Sequence, residues 1–103
     1  MSYLLLRTDR FSDQLNDIIQ YIANDSGDVD AALKCLTEIE EAMMRLRAFP
    51  ESGSAPRYSL LKNQGYRVLI VNRYLVFHKV DNAQKRVIFY AIVDARREYL
   101  SLL

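Results

Sequence analysis

The apolar residues of this chain change period partway along, and that switch restricts the available folds more than any other feature. Between residues 11 and 49 they recur at helical spacing. From residue 66 onward they fall in short, almost unbroken runs of strand type. In the first part, Phe11, Leu15, Ile18, Ile19 and Ile22 line one face, with Asp13, Asn16, Asp17 and Gln20 on the other. Thr8, Asp9 or Ser12 can cap the start, and Asn24, Asp25, Ser26 and Gly27 end it. A second helix is expected from near Asp28, with Val29, Leu33, Leu36, Met43 and Leu46 as its apolar stripe. It should stop at Phe49, because Pro50 disfavours helical dihedrals in the residue before it. Two helices joined by so short a break are expected to pack as an antiparallel hairpin.

Residues 50–56 hold both prolines and a glycine and form the main irregular connection. The remainder reads as strand. Runs at 66–71 and 74–80 flank a tight turn at Asn72 and Arg73, and a turn at 81–84 leads to a run at 86–93. A short apolar run at 2–7 supplies one more strand, and residues 95–103 a short helix or tail anchored by Tyr99, Leu100 and Leu103. The order β-α-α-β-β-β predicts an α+β fold: one antiparallel-rich sheet of about four strands with the helix hairpin on one face. Residues 1–103 make one domain, as the length suggests. Because the strands are apolar at nearly every position, the second sheet face must also meet something: the tail, a partner or a substrate.

Composition removes several classes of function. A single cysteine (Cys35) leaves no disulfide framework or multi-cysteine metal motif, and a single histidine (His78) leaves little for a zinc site. No apolar run is long enough to span a bilayer and no signal-peptide pattern opens the chain, so a cytoplasmic protein without a membrane partner is expected. Glycine-rich phosphate loops, HExxH and Ser-His-Asp series are missing, so no metal or cofactor is expected. Charge is divided unevenly. Residues 1–50 carry five basic against nine acidic side chains (−4), and residues 51–103 nine against four (+5). That split offers a basic face to an anion such as nucleic acid, unless the two halves neutralise each other across an interface.

The residues able to do chemistry are few. Arg67 shares a strand face with Leu69 and Val71, and a guanidinium there must be paired, with Asp94 or Glu98, or reach a groove. Arg96 and Arg97 follow the last strand. They can grip a phosphodiester bidentately or merely cap strand carbonyls. Tyr99, three residues past Arg96, is an acid/base hydroxyl or a tail anchor. His78 titrates near neutrality but lies among Tyr74, Val76 and Val80, where packing is the commoner role. Lys79 has the opposite parity and points to the other face. Cys35 reads as an ordinary half-buried thiol. Arginines plus one weak acid or base would suit nucleic-acid backbone chemistry best.

These segments together resemble the RelE/ParE superfamily, toxins of bacterial type II toxin–antitoxin (plasmid stabilisation) modules. The likeness runs through the early strand, the helix from Phe11 to Ile22, and the Phe49, Pro50, Glu51, Ser52, Gly53 break. It continues through Gly65, Tyr66, Arg67, Val68 and Leu69, the strand from Tyr74 to Val80, and the ending from Asp94 to Leu100. The resemblance implies an antitoxin partner and one of two targets. RelE-like members enter the ribosomal A site and cut mRNA, whereas ParE-like members block DNA gyrase without catalysis. For a metal-independent endoribonuclease, Arg67 and Arg96 would hold the scissile phosphate and Tyr99 or His78 would move a proton. Lys62, Arg57, Arg97 and Lys79 would then bind flanking RNA. The expectation leans to mRNA cleavage, with gyrase inhibition, or a degenerate toxin that binds only its antitoxin, as alternatives. The basic pair of RelE-type members is reduced here to Lys62 and Arg57, Tyr99 stands closer to Arg96 than in RelE, and the long hairpin with its Pro50–Gly53 break is ParE-like.

Overall fold

A computed structural model describes residues 2–97 of the chain. Strand β1 (Leu4–Arg7) leads into α1 (Asp9–Asp25), which starts where the Thr8 hydroxyl accepts the Phe11 N–H at 3.1 Å. Helix α2 (Val29–Met44) starts under the Asp28 carboxylate, which accepts the Ala31 N–H at 2.9 Å. It tightens into a 3₁₀ turn (Arg45–Arg47), so the regular helix ends before the Phe49-Pro50 stop. A short helix α3 (Ser59–Asn63) follows, in a stretch whose sequence reads as strand. Strands β2 (Arg67–Val71), β3 (Tyr74–Asp81) and β4 (Arg86–Asp94) complete the fold. The sheet order is β1-β4-β3-β2; β1 runs parallel to β4 and the other pairs are antiparallel. The α+β architecture with the helix hairpin on one sheet face is the one the sequence order implies.

The main core lies between the hairpin and the sheet: Phe11, Leu15, Ile39, Met43 and Leu46 pack on Val71, Tyr74, Val76, Val87, Phe89 and Ile92. The stripe of α2 differs from expectation at its start. Ala32 is buried, while Val29 and Leu33 are more than half exposed. The small Ala32 and Ala42 are buried while bulkier neighbours turn outward, so an apolar residue at helical spacing need not be an inward one. The opposite sheet face has its own cluster, in which Leu61 of α3 joins Val68, Phe77, Ala91 and Val93. Part of the cover that the apolar strands demand is therefore supplied by a short helix in a stretch the sequence reads as strand.

One irregularity decides which side chains share a face. Phe77 pairs with Ala91 and His78 with Phe89, so Tyr90 is an extra residue in β4. Such a bulge puts two successive residues, Tyr90 and Ala91, on the face opposite the hairpin. At the tip of the β2–β3 hairpin Asn72 takes φ +55°, and its side-chain amide donates to Glu38 on α2 at 2.6 Å. That bond fixes the tip against the helix.

Candidate functional site

Arg67 sits at the start of β2, level with His78, on the face it shares with Leu69 and Val71. Its guanidinium reaches back to the 50–56 strap. One Nη donates to the Glu51 carbonyl at 2.6 Å and to that of Gly53 at 3.4 Å, and the Glu51 carboxylate lies 3.9 Å away. Two further bonds, Ser54 N–H to Val68 O and Val68 N–H to Ser54 O, both 2.9 Å, stitch the strap to the strand edge. Gly53 has φ +101°, and a Cβ there would lie 2.7 Å from the Val68 carbonyl oxygen. Arg67 thus works as a staple between strap and sheet. Among the described residues its carboxylate partner is Glu51 and not Asp94; Glu98, the other partner the sequence suggests, lies outside them.

His78 is fully buried, in contact with the Phe89 ring at 5.9 Å between centroids. Nδ1 lies 3.3 Å from the Val76 carbonyl, so a neutral ring donating there leaves Nε2 a bare acceptor. Burial pushes its pKa from 6.5 down to about 4; the Val76 carbonyl opposes this and Arg67 adds to it. At neutral pH it is an uncharged packing residue with no access to a substrate. Its complete burial accords with the packing role that the sequence favours over a proton carrier.

Arg96 and Arg97 lie at the other end of the sheet. Arg96 forms a fork with Asp94, Nε at 3.1 Å and Nη2 at 2.9 Å, and Arg73 approaches the same carboxylate at 3.4 Å. The hydrogen bond from Arg96 is the main reason the Asp94 carboxyl titrates down at about 2. Arg97 is exposed and lines, with Arg96, Tyr21, Asp17 and Ile92, a groove of about 540 Å³ between α1 and the end of β4. Asp94 pairs with Tyr74 and Arg67 with His78, so four residues of β3, about 13 Å, separate the levels of the two arginines. They do not converge, and each already has a carboxylate. Tyr99 lies outside the described residues.

The remaining basic candidates are scattered. Arg57 is exposed with its guanidinium 5.7 Å from the Tyr58 ring, and Lys62 is exposed in the last turn of α3. Lys79 points away from His78, as its parity requires, and its ammonium stands 4.5 Å from the Tyr66 ring centroid and 5.2 Å from that of Tyr90. The two rings meet edge-to-face at 5.5 Å, and Tyr66 meets Phe77 the same way at 6.4 Å. Burial, helped by Tyr90 and opposed by Arg10, raises the Tyr66 pKa. Sequence reasoning found Lys79 but not its two tyrosines; Tyr66 stands beside Arg67 in the motif, whereas Tyr90 is delivered by a bulge that no periodicity signals. Cys35 is half-buried with its pKa raised by burial, an unreactive thiol. Among the described residues no cluster of His, Cys, Asp and Glu could hold a metal ion, and no helix is long and apolar enough to cross a membrane.

Comparison with known proteins places this arrangement among relatives. Residues 5–99 match the family model described as the ParE toxin of the type II toxin–antitoxin system parDE. A chain of the chromosomal ParDE toxin–antitoxin system from P. aeruginosa superposes with a TM-score of 0.69 at 19% identity, over 90% of this chain and 96% of that one. A chain of the RelBE2 toxin–antitoxin complex from Mycobacterium tuberculosis gives 0.63 at 15% identity, over 91% and 99%. No curated protein matches in sequence.

Proposed function

This chain belongs to the ParE toxin family of type II toxin–antitoxin systems, and from that premise we propose that it arrests growth as a protein ligand of DNA gyrase, without cutting RNA. The observation that carries this reading is the state of the cleavage candidates. Arg67 is bonded to strap carbonyls, Arg96 is forked onto Asp94, and His78 is buried and neutral. Phosphodiester cleavage needs charge-stabilising groups and a proton carrier poised around one reacting phosphate. Arg67 and His78 are neighbours, but Arg96 stands four residues of β3 away, each arginine already has a carboxylate beside it, and the His78 ring is fully buried. Inhibition by binding needs only a complementary surface, which the exposed side chains of the helix hairpin and the Arg73, Arg96 and Arg97 corner can supply.

Pulse labelling of DNA and protein synthesis after induction tests the reading. Replication should fail first, and the purified toxin should inhibit gyrase supercoiling. Translation collapsing first, with new mRNA 5′ ends at codons, would instead favour cleavage with Arg67, Arg96, Tyr99 and His78 as catalytic groups and Lys62, Arg57, Arg97 and Lys79 on the RNA. A chain that harms neither process and leaves growth intact would be a toxin reduced to antitoxin binding.

A further inference from the structure

The sheet face opposite the hairpin is covered by α3 only where it carries Val68, Phe77, Ala91 and Val93. Toward β1 none of the described elements packs over it. Leu4 is 61% exposed, and Leu6 and Ile88, paired across β1 and β4, are half-buried. In this apolar surround stands the Lys79 ammonium, held against two phenol rings. Among the described residues no carboxylate pairs with it, whereas its neighbour Arg86 is bonded to Asp81 at 3.0 Å. A hollow of about 270 Å³ lined by Thr8, Arg10, Tyr66 and Tyr90 adjoins it.

We propose that the Lys79, Tyr66 and Tyr90 cage, with Leu4, Leu6 and Ile88 around it, is a docking surface for an amphipathic antitoxin segment that carries an acidic side chain into the hollow. The inference rests on toxin-family membership and not on the choice of gyrase as target. Charge complementarity sets the occupant. The rings fix the ammonium in place and attract it without neutralising it, so its N–H donors still seek an anion. A nucleic-acid strand would need a row of cations along its phosphates, but here the caged lysine, with Arg10 at the adjoining hollow, is set among leucine and isoleucine. A peptide with apolar residues on the sheet and one carboxylate at the ammonium satisfies both features at once.

The test is the affinity of the purified toxin for the antitoxin encoded with it, measured at low and high salt. Lys79→Glu should weaken the complex by at least about tenfold. Lys79→Gln should weaken it less and flatten its salt dependence, and Lys79→Arg should preserve it. Should Lys79→Glu fail to fold, Leu4→Glu decides, since this exposed position faces the same segment and should also weaken binding. Wild-type affinity in both Lys79→Gln and Leu4→Glu overturns the proposal. So does loss of binding to a single-stranded RNA oligonucleotide in Lys79→Gln with antitoxin affinity unchanged, which would assign the cage to nucleic acid.

Discussion

His78 and Arg67 face each other across β2 and β3, and their buried Nε2 and Nε atoms have no hydrogen-bond partner among the described residues. A proton on His78 would place a second positive charge there, at a fully buried ring. Its folded pKa of about 4 lies below the unfolded value, so the unfolded chain binds the proton more readily. Stability is therefore complete above about pH 6.5 and is lost as pH falls toward about 4. Between about pH 7 and pH 5 the loss should be about 2 kcal/mol in urea unfolding, and His78→Leu should remove most of this dependence. Equal pH slopes in the two proteins would mean that the imidazole is not buried as described. Position 78 also shows where sequence reasoning ran short. Its apolar neighbours could be read directly, but its complete burial depends on a strap and a hairpin more than twenty residues away.

At the scale of elements, the strap at 50–56 is the connection whose role is most easily tested. It is held by the Arg67 staple, by the two Ser54–Val68 bonds and by close approach of Gly53 to the Val68 carbonyl. Gly53→Ala meets both a left-handed φ and a backbone oxygen that cannot move aside, and should cost about 1–3 kcal/mol in chemical unfolding. Arg67→Ala should destabilise by a similar amount, about 1–3 kcal/mol, and open residues 51–56 to limited proteolysis. Undiminished stability in Arg67→Ala would return that guanidinium to the list of residues held for another purpose. Thr8→Ala should cost about 1 kcal/mol through the lost cap of α1. The helices and strands were legible because each buries one periodic face, and their caps and the hairpin turn follow from local chemistry. Helix α3 was not legible: five residues give no period, and it forms because Leu61 has a cluster of strand side chains to cover. The bulge at Tyr90 was hidden for the same reason, since it is defined by its partner strand.

For the whole molecule, the ion pairs among the described residues each join two residues of the same half of the chain, so they leave the charge asymmetry of the sequence in place. Arg7 meets Glu40 across the sheet–helix interface at 2.9 Å, Arg86 meets Asp81, and Arg73 and Arg96 share Asp94. The second half therefore keeps its positive excess, but its basic candidates Arg57, Lys62, Lys79 and Arg97 are carried by different segments of the fold. What stays uncovered is the apolar end of the sheet near β1, so the free toxin should self-associate or fractionate as aggregates, and co-expression with its antitoxin should give a monodisperse complex by size-exclusion chromatography. A monodisperse free toxin would show that the surface needs no cover. The strand at that end has a further consequence. β1 leaves the ribosome first yet hydrogen-bonds only to β4, its register running from Leu4 with Arg86 to Arg7 with Phe89. The sheet of a nascent chain therefore cannot close until β4 has been translated, and β1 waits unpaired while the hairpin and the other strands emerge.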